Sequence, residues 1–287
     1  MSTFAPKHGG AGLSAKSAGD GRTPARWLRW AARCGFVAEG LVYVLIGGLA
    51  LLVAFEPGQR PQGSKGALVQ LGDAPLGRMM LAVLAAGLAA FVLWQCAQAL
   101  FDPEHRHERW SPHRVVARLG CLLNAALHAV LVGYAAWHVL SAAGGPDHGR
   151  TQAQWTARVM QLPLGRWAVA LTGVGIVAFG MFQFYRAATG VSDKDMDLSQ
   201  TRLRFALLTL GVTGCVARGV VFALIGVFLV HAAWRYDATQ ATGVAGALSV
   251  LKAQPGGSWL LGAVASGLVA YGLFQIAKAR FRVIHST

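Results

Sequence analysis

The sequence predicts an all-α transmembrane protein: a six-helix bundle made of three repeated helical hairpins around a pseudo-threefold axis. Three observations predict it. Of the 287 residues, 54% are hydrophobic and 13% charged, with mean hydropathy +0.45; soluble domains carry roughly twice that charged share. Six apolar runs each reach the roughly 20 residues that a helix needs to cross the hydrocarbon. Those runs also fall into register in threes, which is the mark of an internal repeat.

The chain opens with a Gly-, Ala- and Ser-rich stretch carrying scattered bases, and residues 1–30 read as a disordered basic tail. The first apolar run, 34–55, is too long for a leader and lacks a cleavage motif, so it is expected to stay as an anchor. Further runs cover 79–101, 115–142, 167–189, 205–234 and 259–279, giving repeats over 31–104, 113–190 and 203–283. Helices are the expected form, because lipid cannot satisfy an open backbone.

In the odd-numbered spans the register starts at Gly35, Gly120 and Gly214. Four residues on stand Glu39, Asn124 and Arg218, and eight on stand Tyr43, His128 and Phe222. The even spans match more tightly. Each begins Pro-x-Gly, at Pro75–Gly77, Pro163–Gly165 and Pro255–Gly257. Ten residues later come Gly87, Gly175 and Gly267, followed by an aromatic (Trp94, Phe182, Phe274) and at once by Gln95, Gln183 and Gln275. Proline costs nothing in the first turn, where its missing N–H has no helical partner. The paired glycines, Gly77 with Gly87, Gly165 with Gly175 and Gly257 with Gly267, are expected to let each even span pack on a neighbour. Gln98, Arg186 and Lys278 follow the glutamines, and the two bases are expected to snorkel to the boundary. Between the spans of each repeat, short semi-apolar pieces at 66–71, 154–162 and 246–251 are expected to lie at the interface.

A formal charge of +14 invites a nucleic-acid reading, yet the bases flank apolar runs as the positive-inside rule describes. Of the 26 Lys and Arg residues, 17 fall on the side of both termini, eight on the other, and Arg218 lies within a span. Both termini are therefore expected in the cytoplasm, with the chain in the bacterial inner membrane and no nucleic acid as partner. Cys34, Cys96, Cys121 and Cys215 lie in apolar runs without a Cys-x-x-Cys pair, so they read as small hydrophobes.

Chemistry has one natural place. Glu39 and Arg218 are the formal charges well inside the spans, at one repeat position whose third member is Asn124. With Gln95, Gln183 and Gln275 they form a polar layer at similar depth. A charge at the bilayer centre costs about 2.5–3.5 kcal/mol on insertion scales, so opposite charges at equivalent positions read as compensation. Packing of the repeats is the favoured reading because the layer is shallow; a solute or proton site on the pseudo-threefold axis is the alternative. At the equivalent of Arg33 the third repeat has Val212. Either Arg218 is deep, or 205–211 extends beyond the hydrocarbon. His138 and His231 lie near outer ends, where a bis-His haem would need facing rings. His105, His107 and His113, with Glu104 and Glu108, read as a solvated loop rather than a metal site. No catalytic motif is found, and no metal or other cofactor is expected.

The third repeat carries Ala-Arg-Gly-Val-Val-Phe at 217–222, Gly226, Gly-Ala-Leu at 246–248, Pro255-x-Gly257 and Gly-Leu-x-x-Tyr-Gly-Leu-Phe at 267–274. The first matches it through Gly40-Leu41-Val42-Tyr43, Gly66-Ala67-Leu68 and Gly87-Leu88; the second diverges, with Asn124-Ala125-Ala126 in place of Arg-Gly. These motifs resemble a bacterial membrane-protein family defined by a domain of unknown function, usually present in three tandem copies. The resemblance covers nearly everything after residue 30 and implies fold and membrane location, with no activity to carry over. The expected role is structural or accessory, with the bilayer and another membrane protein as partners; the alternative is a small-solute or proton transporter or channel.

Overall fold

A computed structural model describes residues 26–74, 76–101, 112–140, 152–190 and 203–281, with side chains from residue 30 and, in the second repeat, from Arg118. The tail through residue 25, Pro75, Glu104, His105, His107, Glu108 and the His113 side chain lie outside the described residues. Among those described the structure is helical and has no strand. Each repeat is a long helix, a short one and a second long one: α1 (Arg26–Ala54), α2 (Ser64–Asp73) and α3 (Gly77–Phe101); α4 (Pro112–Leu140), α5 (Gln152–Met160) and α6 (Gly165–Ala188); α7 (Arg204–Arg235), α8 (Val244–Ala253) and α9 (Gly257–Phe281).

The six long helices are long and apolar enough to cross a membrane. Their outward faces agree. Leu52, Val83, Val130, Leu171 and Leu93 are exposed, a girdle of apolar surface that water would not tolerate. Exposed Trp137, Trp167, Trp234 and Trp259 stand near the helix ends on the α2, α5 and α8 side, where indoles sit at a membrane interface. The chain is thus a multi-pass membrane protein.

The Pro-x-Gly step has a steric cause. Its middle residue is left-handed (Leu76 φ 62°, Leu164 φ 64°, Gly256 φ 69°), which turns the chain sharply out of the short helix. The following residue must be glycine. A Cβ at Gly77, Gly165 or Gly257 would strike a carbonyl of the preceding short helix (Leu71, Val159 and Lys252).

Each long helix packs most closely on a neighbouring repeat: α1 on α9, α4 on α3, and α7 on α6. Two of these seams are lined by glycine. A Cβ on Gly40 would lie 2.6 Å from the Gly272 carbonyl, and one on Gly47 would lie 2.7 Å from that of Ala265. In α6 and α7, Gly180 faces the Gly219 carbonyl at 2.9 Å and Gly226 faces that of Gly173 at 2.7 Å. Absent side chains let backbones touch, the source of helix association where lipid removes the hydrophobic drive. The third seam has Ala125, Val132, Ala85 and Val92 at the matching positions.

Within hairpins the repeats differ. Gly35 abuts the Phe91 backbone (2.6 Å to a built Cβ) and Gly214 that of Tyr271 (2.5 Å), while Gly87 meets Ala38 and Gly267 meets Ala217. Hairpin 2 does not close in this way. Gly120 finds only the Phe179 ring, at 3.7 Å, and Gly175 has nothing within 4 Å. The expectation that Gly175 packs like Gly87 and Gly267 is therefore corrected. Leu123 stands where the others have Ala38 and Ala217, and its bulk, with Leu127, meets Ile176 and Phe179 across the gap. Phe182 is correspondingly only half-buried, whereas Trp94 and Phe274 are buried. The packed shares of the spans follow: 22% of the apolar stretch of α4 is buried, against 61% for α9.

The loop side is tied across repeats by cations on helix C-termini, a favoured place for positive charge. Lys252 of α8 donates to the carbonyls of Val53 (2.6 Å) in the last turn of α1 and of Glu56 (2.6 Å) and Gln59 (2.8 Å) just past it. Arg166 of α6 donates to those of Ala233 (2.9 Å) and Trp234 (3.2 Å) at the end of α7. Past α7, Asp237 accepts from the hydroxyl and the N–H of Thr239, which hold its carboxyl below the usual range and shape a 3-10 turn over Ala238–Gln240.

Two outcomes follow for melting in detergent. Gly267→Val should lower the midpoint markedly, because its branch meets Ala217, whereas Gly175→Ala should be neutral or gain up to about 1 kcal/mol from helix propensity. Lys252→Met should destabilise by roughly 1–2 kcal/mol, since three carbonyls lose their shared donor.

Candidate functional site: a buried polar layer

The layer is built by seams that bring backbones together. Glu39 lies beside Gly40 on α1, so the close approach of Gly40 to Gly272 sets Gln275, one turn on, against its carboxylate. Arg218 lies beside Gly219, facing α6 in the same way. Glu39 is 0% exposed and Arg218 2%. Gln275 is six residues from the end of α9, roughly 9 Å at the helical rise.

Glu39 collects donors. Gln275 Nε2 donates to its Oε2. Tyr271 donates its hydroxyl to Oε1 at 3.4 Å, and Arg218 Nη2 is 3.6 Å from the same oxygen. His128 Nε2 lies 3.8 Å from it. Arg218 fans out in turn: Nη1 donates to the Tyr271 hydroxyl at 2.5 Å and Nη2 to Asn124 Oδ1 at 2.5 Å. Tyr271 thus bridges acid and base, accepting from one and donating to the other. His128 Nδ1 sits 2.8 Å from the Asn124 carbonyl; a carbonyl only accepts, so this nitrogen carries a proton. The three members of one repeat position, Glu39, Asn124 and Arg218, are joined through a single guanidinium. A continuous α7 places Arg218 level with the other two despite Val212.

One layer further in lies a set of rings. Tyr43 meets Tyr271 edge-on at 4.8 Å, His128 meets Phe91 at 5.0 Å, and Phe179 meets Phe222 at 5.2 Å. Each pair joins the odd helix of one repeat to the even helix of the preceding one, closing a circle of three. The guanidinium carbon of Arg218 lies 4.8–5.3 Å from the rings of Tyr271, Tyr43, Phe222 and Phe179. Aromatic faces carry negative potential, which eases the burial of a cation.

The glutamines part company. Gln275 is bonded to Glu39, Gln95 is 8% exposed, and Gln183 is 1% exposed with neither Oε1 nor Nε2 partnered among the described residues. By register Gln183 should meet Arg218 as Gln275 meets Glu39, yet Arg218 turns to Asn124 and Tyr271, and its Nε is also unpartnered. Lys278 corrects a further expectation. It does not snorkel but is 7% exposed, with its ammonium 5.3 Å from the Phe36 ring; Arg186 is half-buried. His138 packs on Tyr134 at 5.0 Å, and His231 lines a groove with Val177, Val227, Val230 and Trp234. The four cysteines are free thiols.

Sequence reasoning overlooked Tyr271, Phe91 and Phe179 as a set. Their signal is an aromatic fourteen residues after each Pro-x-Gly glycine. The register placed His128 level with Tyr43 and Phe222 but gave it no partner; the structure sets it beside Glu39.

The family model described as Domain of Unknown Function (DUF1206) matches this chain three times, over residues 34–102, 119–190 and 213–282. The chain is similar to the uncharacterized protein YxxB of Bacillus subtilis (strain 168), with 33% identity over 260 residues, covering 89% of this chain and 92% of that protein. No solved structure matches it. With three copies of the domain in tandem and a relative matched over 92% of its length, the chain belongs to the DUF1206 family of unknown function.

Proposed function

We propose that the chain is a structural or accessory protein of the bacterial cytoplasmic membrane, with both termini inside, acting on a membrane-protein partner through its helix surfaces or its tail. The observation that carries this reading is the buried Glu39–Arg218 pair with contacts in every repeat. Its donors and acceptors point inward, as in a clasp that holds three hairpins in one ring. The excess of Lys and Arg on the terminal side supports the orientation.

Breaking a buried pair strands a charge, at about 3–5 kcal/mol. Glu39→Gln and Arg218→Gln should each lower thermal stability in detergent by that order, with the double variant costing little more than either single change. A strong coupling term of this kind marks a clasp. Neutral or stabilising single changes would instead mean that the charges are kept at a cost to stability.

A second reading, a solute or proton pathway through the layer, draws on the unpartnered amide of Gln183. Proteoliposome flux separates the two. A scaffold gives proton and solute leakage equal to protein-free vesicles and copurifies with a fixed partner. Flux that disappears with Glu39→Gln would replace it with the pathway.

A further inference from the structure

Three buried polar atoms remain unpartnered on one side of the layer: Gln183 Oε1, Gln183 Nε2 and Arg218 Nε. They belong together by register. In the α6–α7 seam Gly180 touches the Gly219 carbonyl, so Gln183, one turn beyond Gly180, and Arg218, beside Gly219, stand at the same level. The equivalent pair in the α9–α1 seam, Gln275 and Glu39, is hydrogen-bonded. Here the guanidinium is drawn away by Asn124 and Tyr271, and the amide opposite is left with two unmet valences. Buried polar groups in native proteins almost always find a partner, and where the chain supplies none, a guest does.

We propose that this corner of the layer binds a small neutral molecule through a hydroxyl group, admitted from the side through the loose second hairpin. The chemistry of the three atoms selects the guest. Two are N–H donors and one is a carbonyl acceptor. A single hydroxyl oxygen, as in water or a small polyol, accepts from both donors and donates to the carbonyl. An anion would satisfy the donors but leave Oε1 unmet. A cation would face Arg218. Glu39 already balances Arg218, so any net charge on the guest would stand uncompensated in a medium of low polarity.

The route follows from the packing of hairpin 2. Hairpins 1 and 3 are shut by backbone against backbone at Gly35 and Gly214. Between α4 and α6 the gap is spanned by Leu123, Leu127, Ile176 and Phe179, and Gly175 faces open space. Side chains change rotamer far more readily than helices separate. Phe179 is the inner member of that set, and its ring lies against the Arg218 guanidinium, 5.3 Å from centroid to carbon, so the side door touches the site itself. The inference requires only this geometry and holds whether the protein is a scaffold or a pathway.

The test uses the full-length protein in detergent, with water and glycerol as probes. If the corner is occupied, Gln183→Met, which removes the amide at nearly constant volume, lowers the melting midpoint by roughly 3 °C or more. If it is empty, the same change removes two stranded polar atoms, and the midpoint stays or rises, which overturns the proposal. A high-resolution map of the unaltered protein gives a second readout that does not depend on the variant. Density within hydrogen-bonding distance of Gln183 and Arg218 Nε is expected, and a dry corner overturns the proposal even if Gln183→Met melts early. After exhaustive dialysis, glycerol that stabilises the wild type more than Gln183→Met identifies a hydroxylated solute as guest. An equal response of the two, with density present, identifies water.

Discussion

A carboxylate and a guanidinium buried together among apolar helices constrain everything else in this molecule. Neither Glu39 nor Arg218 is tolerable alone in that setting, and they come from opposite ends of the chain, in the first and third repeats. Their mutual approach closes the ring. The closure is possible because glycine lines the α1–α9 seam: with a side chain at Gly40 or Gly272 the backbones would stand apart, and Gln275 would not reach Glu39. The second repeat enters through Asn124, whose side-chain amide oxygen accepts from Arg218 Nη2, the nitrogen that also faces Glu39. Stability and polarity are therefore not separate features of this bundle, since the same contacts that satisfy the charges hold the repeats in register.

Three-fold repetition would by itself put the same residue three times around one axis. Three acids would repel and three bases likewise, so divergence at that position to acid, amide and base is what lets a charged layer exist at all. The aromatic circle diverges in parallel: a tyrosine pair flanks the acid, histidine with phenylalanine flanks the amide, and two phenylalanines flank the base. Tyr271 is the member with a hydroxyl where acid and base meet, and it bridges them. The second hairpin has drifted furthest. Leu123 in place of a small residue props α4 away from α6, which leaves α4 the least covered span and Gln183 the least satisfied member of the layer.

Much of this was legible in the chain, and the limits have physical causes. Pro-x-Gly at three equal places could be read directly, because left-handed turns and carbonyl contacts are local matters that leave local residues behind. Glycines at fixed spacing marked packing faces but not their partners, and Gly175 misled because its role depends on Leu123 of another helix. Lys278 was expected at the boundary from its place near a helix end, yet Phe36 of α1 covers it. His128 could be placed in register with Tyr43 and Phe222, but its partner Phe91 appears only once α4 is set against α3.

The sequence by itself determined six apolar spans, three repeats, the level of the polar layer and the identity of its charges. Hydropathy, period and turn chemistry act within one helix or hairpin and so are written along the chain. Only the tertiary structure decided which helices are neighbours, that the second hairpin stays loose, and that Arg218 turns toward Asn124 and Tyr271 rather than Gln183. An arginine side chain has several rotatable bonds and five donors. Where it points is set by the acceptors that surround it in space, and those lie 94 and 53 residues away along the chain.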